Sequence, residues 1–331
     1  MTADPRPPLK IGSLPLANPL VLAPLSGISD LPFRLLAKEQ GCALVFTEMI
    51  SAEGLTRKAR TTLKLLKTLP EERPLGVQIF GPRAGLLAEA AKVVEQWGGD
   101  VIDINMGCPV RKVVHGGSGA ALLKDPLRIR EILEAVRKAT RLPFTIKIRL
   151  GWDERIKNYL EVARIAQDCG VDALIVHGRT RSQGYGVKAN WDDIRELKER
   201  VNIPVIGNGD LNSSKAILDF FLHTRCDGAM IGRGAFGNPW IFSKGLRILQ
   251  GEVPAELTLE QKMEIVARHL QMMVGEKGEV RGVQDFRKHL IWYTRGMRGS
   301  VEFRTHISEW TTFADTMTHI HGFFENLSLG R

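Results

Sequence analysis

The stretch FTIKIRLGWDERIKNYLEVARIAQDCGVDALIVH, residues 144–177, decides the fold. It opens on a short apolar run rich in β-branched residues (144–148), passes through residues 159–168 with apolar positions at helical spacing, and closes on a second apolar run, 173–176. Strand, helix and strand in that order make a βα repeat, which implies parallel strands. Working outward, the same alternation recurs, with further strands expected at 20–23, 44–46, 75–79, 101–104, 204–206 and 228–231. Helical patterns at 82–96 and 126–139 fill gaps between them, with Pro82 and Pro126 suited to first-turn positions. A repeat of roughly 25 to 40 residues sustained over about 240 residues fits an α/β chain folded as a (β/α)8 TIM barrel. A flavodoxin-like or Rossmann sheet has too few strands. From about Thr258 the strand signal stops and helical patterns take over, at 259–274 and 284–297. The expected division is a catalytic barrel over residues 1–250 and a small helical domain over 251–331, joined at Q-G-E-V-P, residues 250–254.

The totals bound the function. At 331 residues, 44% hydrophobic and 25% charged, the chain has ordinary globular composition and length for one large barrel plus a small appendage. Its start, residues 1–10, is polar and Pro-rich, and no apolar run approaches the ~18 residues that cross a bilayer, so a soluble protein that is not exported and has no membrane partner is expected. Cys42, Cys108, Cys169 and Cys226 are dispersed, with no C-x-x-C pair. That favours a reducing cytoplasm and no structural zinc. A formal net charge of +9 suits a polyanionic partner without identifying one.

In such a barrel function collects at the C-terminal ends of the strands. There the chain places Pro24-Leu25-Ser26-Gly27, Gln78, Asn105-Met106-Gly107-Cys108-Pro109, Lys147 and Arg149, His177-Gly178-Arg179, Asn208-Gly209-Asp210 and Gly232-Arg233-Gly234. Loops after the seventh and eighth strands offer backbone N–H groups to an anion, so Gly209 and Gly232, with the charge of Arg233, predict a phosphate site. A flavin ring needs donors and acceptors along its pyrimidine edge and a positive charge near N1 and O2, which Gln78, Lys147 and His177 would supply. The glycine run at residues 116–119 follows no strand and is not read as a nucleotide loop. Three cysteines precede strands, at the bottom face, where cysteine is a small buried hydrophobe. Cys108 alone follows one, and a thiol protonated at neutral pH is a general acid; a nucleophile paired with His115 is the alternative.

Seven motifs carry a resemblance over nearly the whole chain: A-P-L-S-G-I-S-D-L-P-F-R (23–34), T-E-M-I (47–50), I-D-I-N-M-G-C-P-V (102–110), K-I-R-L-G-W (147–152), H-G-R-T-R (177–181), N-G-D (208–210) and M-I-G-R-G-A-F-G-N-P-W (230–240). In this order the chain resembles the tRNA-dihydrouridine synthases, and with R-K-H-L-I-W-Y (287–293) it is most similar to their bacterial B-type branch. The resemblance implies FMN held by the backbone of Pro24, Leu25 and Ser26, by Gln78, Lys147 and His177, and at its phosphate by Asn208, Gly209, Asp210, Gly232 and Arg233. It implies NADPH as reductant, hydride delivery from FMN to uracil C6, a proton from Cys108 to C5, and a flipped uracil held by Asn105, Arg149 and Tyr185. The family's usual Pro-Met-Ala-Gly is here Pro24-Leu25-Ser26-Gly27, and Ala121 stands where serine is common; both bear on flavin affinity more than on the acid.

Residues 281–304 hold Arg281, Arg287, Lys288, Arg295, Arg298 and Arg304 against Asp285 and Glu302, interleaved with Trp292, Tyr293 and Phe303. Arg287, Lys288 and Arg295 are expected to share a basic helix surface that docks the tRNA body through its phosphates, extended by Arg57, Lys58 and Arg60. No obligate protein partner is expected. The rival readings are a small-molecule FMN oxidoreductase of the dihydroorotate or dihydropyrimidine dehydrogenase kind, and a catalytically silent RNA-binding protein.

Overall fold

Eight parallel strands close into a barrel in the computed structural model, which describes residues 8–330; Arg331 and most of the polar start, as far as Pro7, lie outside it. The strands are β1 (Leu20–Leu22), β2 (Val45–Phe46), β3 (Leu75–Phe80), β4 (Val101–Met106), β5 (Phe144–Arg149), β6 (Ala173–His177), β7 (Val205–Asn208) and β8 (Gly228–Ile231). Each pairs in parallel with the next, β8 pairs with β1, and a Val21–Leu44 bridge closes the ring between β1 and β2. Helices between the strands form the outer layer, as the alternating pattern anticipates.

Side-chain alternation at period two sorts every strand. Outward residues such as Ile102, Ile104, Ile146, Ile148, Leu174 and Val176 pack into one large core against the helices. Inward residues form a second core, with Val21, Leu44, Phe46, Val101, Ile175, Ile206 and Met230 filling the barrel. Gly76 lies on the inner face because the Phe46 ring fills the space opposite; a Cβ there would lie 2.3 Å from that ring. A short antiparallel hairpin, Lys10–Ile11 with Leu14–Pro15, puts Leu9, Ile11 and Leu16 into the inner core and seals the lower end. Near the upper end the inward set turns polar, with Asp103, Asn105, Thr145, Lys147, Arg149, His177 and Asn208.

Some expected boundaries move. The seventh strand runs on to Asn208, and a short strand at Ile50–Ser51 pairs with β3 beyond β2. Pro126 does sit in a first helical turn, but Pro82 precedes its helix, which begins at Ala84 after an Arg83 cap.

The tail follows the helix Ile241–Leu249. Its main helices, with the first barrel helix counted as α1 (Leu31–Glu39), are α2 (Leu259–Lys277), α3 (Glu279–Tyr293), α4 (Ser300–Thr305) and α5 (Phe313–Ser328). Gly278, at φ 81°, lets α3 start directly after α2, so α3 begins earlier than the expected residue 284. Gly296, also at positive φ, follows its end. Thr258 and Gln261 cap α2 reciprocally. These helices enclose a third core around Leu270, Met273, Phe286, Leu290, Ile320 and Phe324, which also takes in Trp240 from the end of the barrel.

The tail meets the barrel at α1. Asp30 caps α1 and accepts from Lys277 Nζ at 2.6 Å, which also reaches Asp285 at 3.1 Å. Beside them the rings of His269 and His289 lie 4.5 Å apart and both pack on Phe33. Asp30, His269 and His289 bring one ligand-type atom each within 4.8 Å, but Lys277 already holds the carboxylate. Both imidazole Nε2 atoms are buried without a protein hydrogen-bond partner. Burial lowers His269 to about 4 against the attraction of Asp30, and the Lys277 and Lys288 ammoniums push the same way. Burial, His269 and the same lysines hold His289 well below its usual value.

Because the folded values lie below the unfolded one, the unfolded chain takes up protons first as pH falls from about 6.5. Stability should therefore be full above that pH and decline toward pH 4, with His269 alone worth on the order of 3 kcal/mol. Melting temperatures measured from pH 7.5 to 4.5 should fall more steeply for the wild type than for His269→Gln; parallel slopes would remove His269 as the source.

Candidate active site

A chain of buried hydrogen bonds at the top of β3, β4 and β5 sets the site. Thr145 Oγ1 donates to Asp103 at 2.6 Å, Gln78 Nε2 donates to the other Asp103 oxygen at 2.6 Å, and Asn105 Nδ2 donates to Gln78 Oε1 at 2.8 Å. Asn105 Oδ1 then accepts from the backbone N–H groups of Gly107 (3.2 Å) and Cys108 (2.9 Å). This Asx-type turn ends β4 and fixes where Cys108 leaves the strand. Burial pushes the Asp103 carboxyl up to about 7, against its hydrogen bonds from Thr145 and Gln78. Gln78 is fully buried, bonded to Asp103 and Asn105, and does not line the cavity.

Above this chain lies an open cavity of about 670 Å³. Pro24, Leu25 and Ser26 line it from the loop after β1; Asn105 and Cys108 from β4; Lys147 and Arg149 from β5. His177 and Tyr185 follow from β6 and its loop, and Asn208, Gly209, Asp210, Gly232 and Arg233 from the ends of β7 and β8. The sequence expectation for these fourteen residues converges on one mouth. Two others fall elsewhere. Arg287 is half-buried in the tail and donates to the Trp310 carbonyl at 2.7 Å, and Lys288 is half-buried beside it; neither lines the cavity. His115 is exposed on the short helix Arg111–His115 and also lies off the cavity, so it makes no pair with Cys108 there.

The lining is rich in positive charge. Arg149 is 3% exposed and donates only to the carbonyls of Gly107 and Thr180 among the described residues, which leaves its charge without a carboxylate. Lys147 Nζ lies 3.3 Å from Asn208 Oδ1, and burial with the Arg149 charge lowers it to about 8. Burial and the charges of Lys147, Arg149, Arg179 and Arg233 hold His177 well below the usual histidine range, so it is neutral. A guanidinium can only donate, so the 3.1 Å contact from Arg179 Nη1 makes His177 Nε2 the acceptor and leaves the ring proton on Nδ1. Burial would raise the Asp210 carboxyl, but both oxygens accept from Arg179 Nη2 at 2.7 Å and one also accepts from the Ala189 N–H; together with Arg233 these hold it low. The one carboxylate on the cavity wall is thus already paired.

Two features shape this end of the barrel. Gly209 has φ 133°, and a Cβ there would lie 2.6 Å from Ala189 and 3.2 Å from the His177 ring. The backbone can run past His177 only as glycine. Tyr185, just over half exposed, lies under the Arg233 guanidinium at 3.9 Å and 5.8 Å from that of Arg149, a flat aromatic face at the rim. Cys108 is half-buried, and burial raises its thiol above the ordinary value against the pull of Arg149 and Lys147.

Sequence reasoning passed over Met49, Phe236 and Trp292 as cavity residues, and Arg179 as the group that organises His177 and Asp210. All four stood inside quoted motifs. Arg295, expected only on a shared basic face, also lines the cavity.

A parallel barrel with a thiol, Cys108, and the charges of Lys147 and Arg149 gathered at the mouth of one cavity has the layout of an enzyme active site. The family model described as dihydrouridine synthase (Dus) matches residues 21–327, and the chain belongs to that family. The chain is 41% identical over 298 residues to a probable tRNA-dihydrouridine synthase of Rickettsia bellii, covering 89% of this chain and 91% of that one. It is 37% identical over 320 residues to tRNA-dihydrouridine synthase B of Pasteurella multocida, with 96% of each chain covered. The same fold occurs in histamine dehydrogenase from Rhizobium sp. 4-9, at TM-score 0.54 and 13% identity over 80% of this chain. The chain spans about half the length of that structure, 50%. No helix among the described residues is long and apolar enough to cross a membrane.

The raised thiol has a direct consequence. Iodoacetamide, which attacks thiolates, should label Cys108 slowly at pH 7 and faster above pH 9, while buried Cys42, Cys169 and Cys226 stay unlabelled in the folded protein. Rapid labelling of Cys108 at pH 7, read by peptide mass, would mark it as a thiolate nucleophile instead.

Proposed function

We propose that this site reduces uridines in tRNA to 5,6-dihydrouridine with FMN as its flavin and NADPH as its reductant. The observation that carries the reading is a half-buried thiol, Cys108, lining the same cavity as Lys147 and the buried, carboxylate-free Arg149. The cavity fits FMN by two tests. Lys147 and Arg149 face a space whose carboxylate, Asp210, is already paired by Arg179 and by the exposed Arg233 at 3.6 Å, and unpaired buried charge is costly until an anion arrives. The β7 and β8 ends, with Gly209 and Gly232 on the cavity wall, would offer backbone to a phosphate.

Asn208, Gly209, Asp210, Gly232 and Arg233 would hold the phosphate, the loop Pro24 to Ser26 would flank the ring, and Lys147 and His177 would meet its polar edge. Gln78 would act through Asn105, whose amide it orients. When bound, FMN supplies the hydride for uracil C6 after NADPH has reduced it. The protein's own residues do the rest. Asn105, Arg149 and Tyr185 hold the base once it has left its stack. Cys108 Sγ releases its proton to C5, and hydride plus proton complete the two-electron reduction. The thiolate left behind, near Arg149 and Lys147, regains a proton from water.

On this reading residues 251–331 form the unit that docks the RNA body. The half-buried Arg287 and Lys288 and the exposed Arg295 carry the contact with phosphates, Arg287 while also donating to the Trp310 carbonyl. Unpaired cysteines suit a reducing cytoplasm.

The purified protein should carry non-covalent FMN, released into the supernatant by acid and identified by absorbance and mass. Failure to take up flavin on reconstitution with excess FMN would end the reading. Cys108→Ala should keep flavin reduction by NADPH and lose about a hundredfold or more in uridine reduction, as removal of a general acid does. Stopped-flow bleaching of the flavin and dihydrouridine assay of tRNA separate the two half-reactions; a near-normal second one would assign the proton elsewhere.

A further inference from the structure

The cavity is not built by the barrel alone. Trp292, in the last turn of α3, and Arg295, just past its end, line it from the tail, next to Phe236 from the loop after β8. The Trp292 and Phe236 rings lie edge-on at 5.1 Å, and the Arg295 guanidinium sits 5.0 Å from the centre of the Trp292 ring. Arg295 is exposed and forms no ion pair among the described residues.

This placement is fixed from several sides. Gly237 has φ 59°, and a Cβ there would lie 2.3 Å from the Trp292 carbonyl carbon and 2.5 Å from the Tyr293 nitrogen. The end of α3 therefore presses against the backbone of the same loop that presents Gly232 and Arg233. Tyr293 is buried, packs on Trp240 and hydrogen-bonds His269, so it locks the helix end in rotation. Trp292, the neighbour on the open side, is left half-buried at the rim.

An aromatic face and a free guanidinium at the edge of a pocket that takes one base are what a single-stranded nucleic acid chain meets next. When a base leaves its stack, the adjoining base loses a partner, and an indole replaces it without regard to sequence. An arginine against the ring adds its charge to the backbone phosphate between the two nucleotides. We propose that Trp292 and Arg295 form a subsite for the nucleotide adjoining the reacting uridine, with the base against the indole and the phosphate at the guanidinium. The inference rests on the reading of the cavity as a tRNA-uridine reductase. It makes the tail a wall of the substrate site as well as a handle for the RNA body.

A purely structural role for Trp292, as glue between tail and barrel, makes different demands. Steady-state reduction of tRNA, flavin reduction by NADPH, FMN content and melting temperature should be measured for Trp292→Ala, Trp292→Leu, Trp292→Phe and Arg295→Ala in the full-length, flavin-loaded protein. A stacking subsite requires KM for tRNA to rise about tenfold or more in Trp292→Ala and Trp292→Leu, with Trp292→Phe close to wild type. Arg295→Ala should raise KM and flatten its dependence on salt by about one phosphate contact. FMN content and the rate of flavin reduction should hold in all four. If Trp292→Ala does not fold, Trp292→Leu, which keeps apolar bulk and removes the aromatic face, decides. A wild-type KM in Trp292→Leu, or a loss of melting temperature and flavin matching the loss of activity, overturns the subsite. A wild-type protein that binds FMN and reduces no tRNA uridine defeats the functional reading itself, before any variant is compared.

Discussion

Asn105 is the side chain on which the site depends. Its carboxamide works at both ends, donating to Gln78 inside the barrel and accepting from the Gly107 and Cys108 amides where the strand ends. An amide offers two donors and two acceptor lone pairs in one rigid plane, so fixing one end fixes the other. The buried chain from Thr145 through Asp103 and Gln78 thereby sets the direction in which Cys108 leaves β4. Three strands share that chain, so the position of the thiol is a property of the barrel wall rather than of the loop. An apolar residue at 105 would orphan Gln78 and two backbone donors together.

The second organising contact lies across the cavity. Arg179 joins the ends of β6 and β7 by binding Asp210 with one nitrogen and His177 with another. Its charge neutralises the carboxylate and its donated bond sets the imidazole tautomer, while burial, Lys147 and Arg149 do most to keep that imidazole neutral. The wall facing Cys108 is consequently positive on balance, although an aspartate lies in it. Both contacts act through partners, which is why neither Asn105 nor Arg179 can be understood from the cavity surface alone.

Much of this was legible in the sequence. Short β-branched runs alternating with helical patterns pointed to eight strands, and the rule that function lies after each strand led to Cys108, Lys147, His177 and the glycines of the last two turns. What escaped was set by partners distant in the chain. Gln78 reads as a cavity residue from its position near a strand's end, yet it is buried beneath the lining, bonded to Asp103 and Asn105. Arg287 reads as a docking charge within a basic run, but the Trp310 carbonyl, 23 positions on, turns it into the tail. Trp292 reads as tail core, and only the close approach at Gly237 brings it to the mouth of the barrel. Composition and spacing record what a residue can do; the competing bonds that occupy it belong to the fold.

The hairpin beneath the barrel bears on the timing of events above it. With Leu9, Ile11 and Leu16 packed into the inner core, the shaft is blind at its lower end, and the cavity opens only toward the loops and the tail. Whatever reaches the chemistry must come and go through a single doorway. On the proposed reading, a strand of RNA and a nicotinamide donor bound for the same centre would exclude one another, and the two halves of the redox cycle would fall into alternation by geometry.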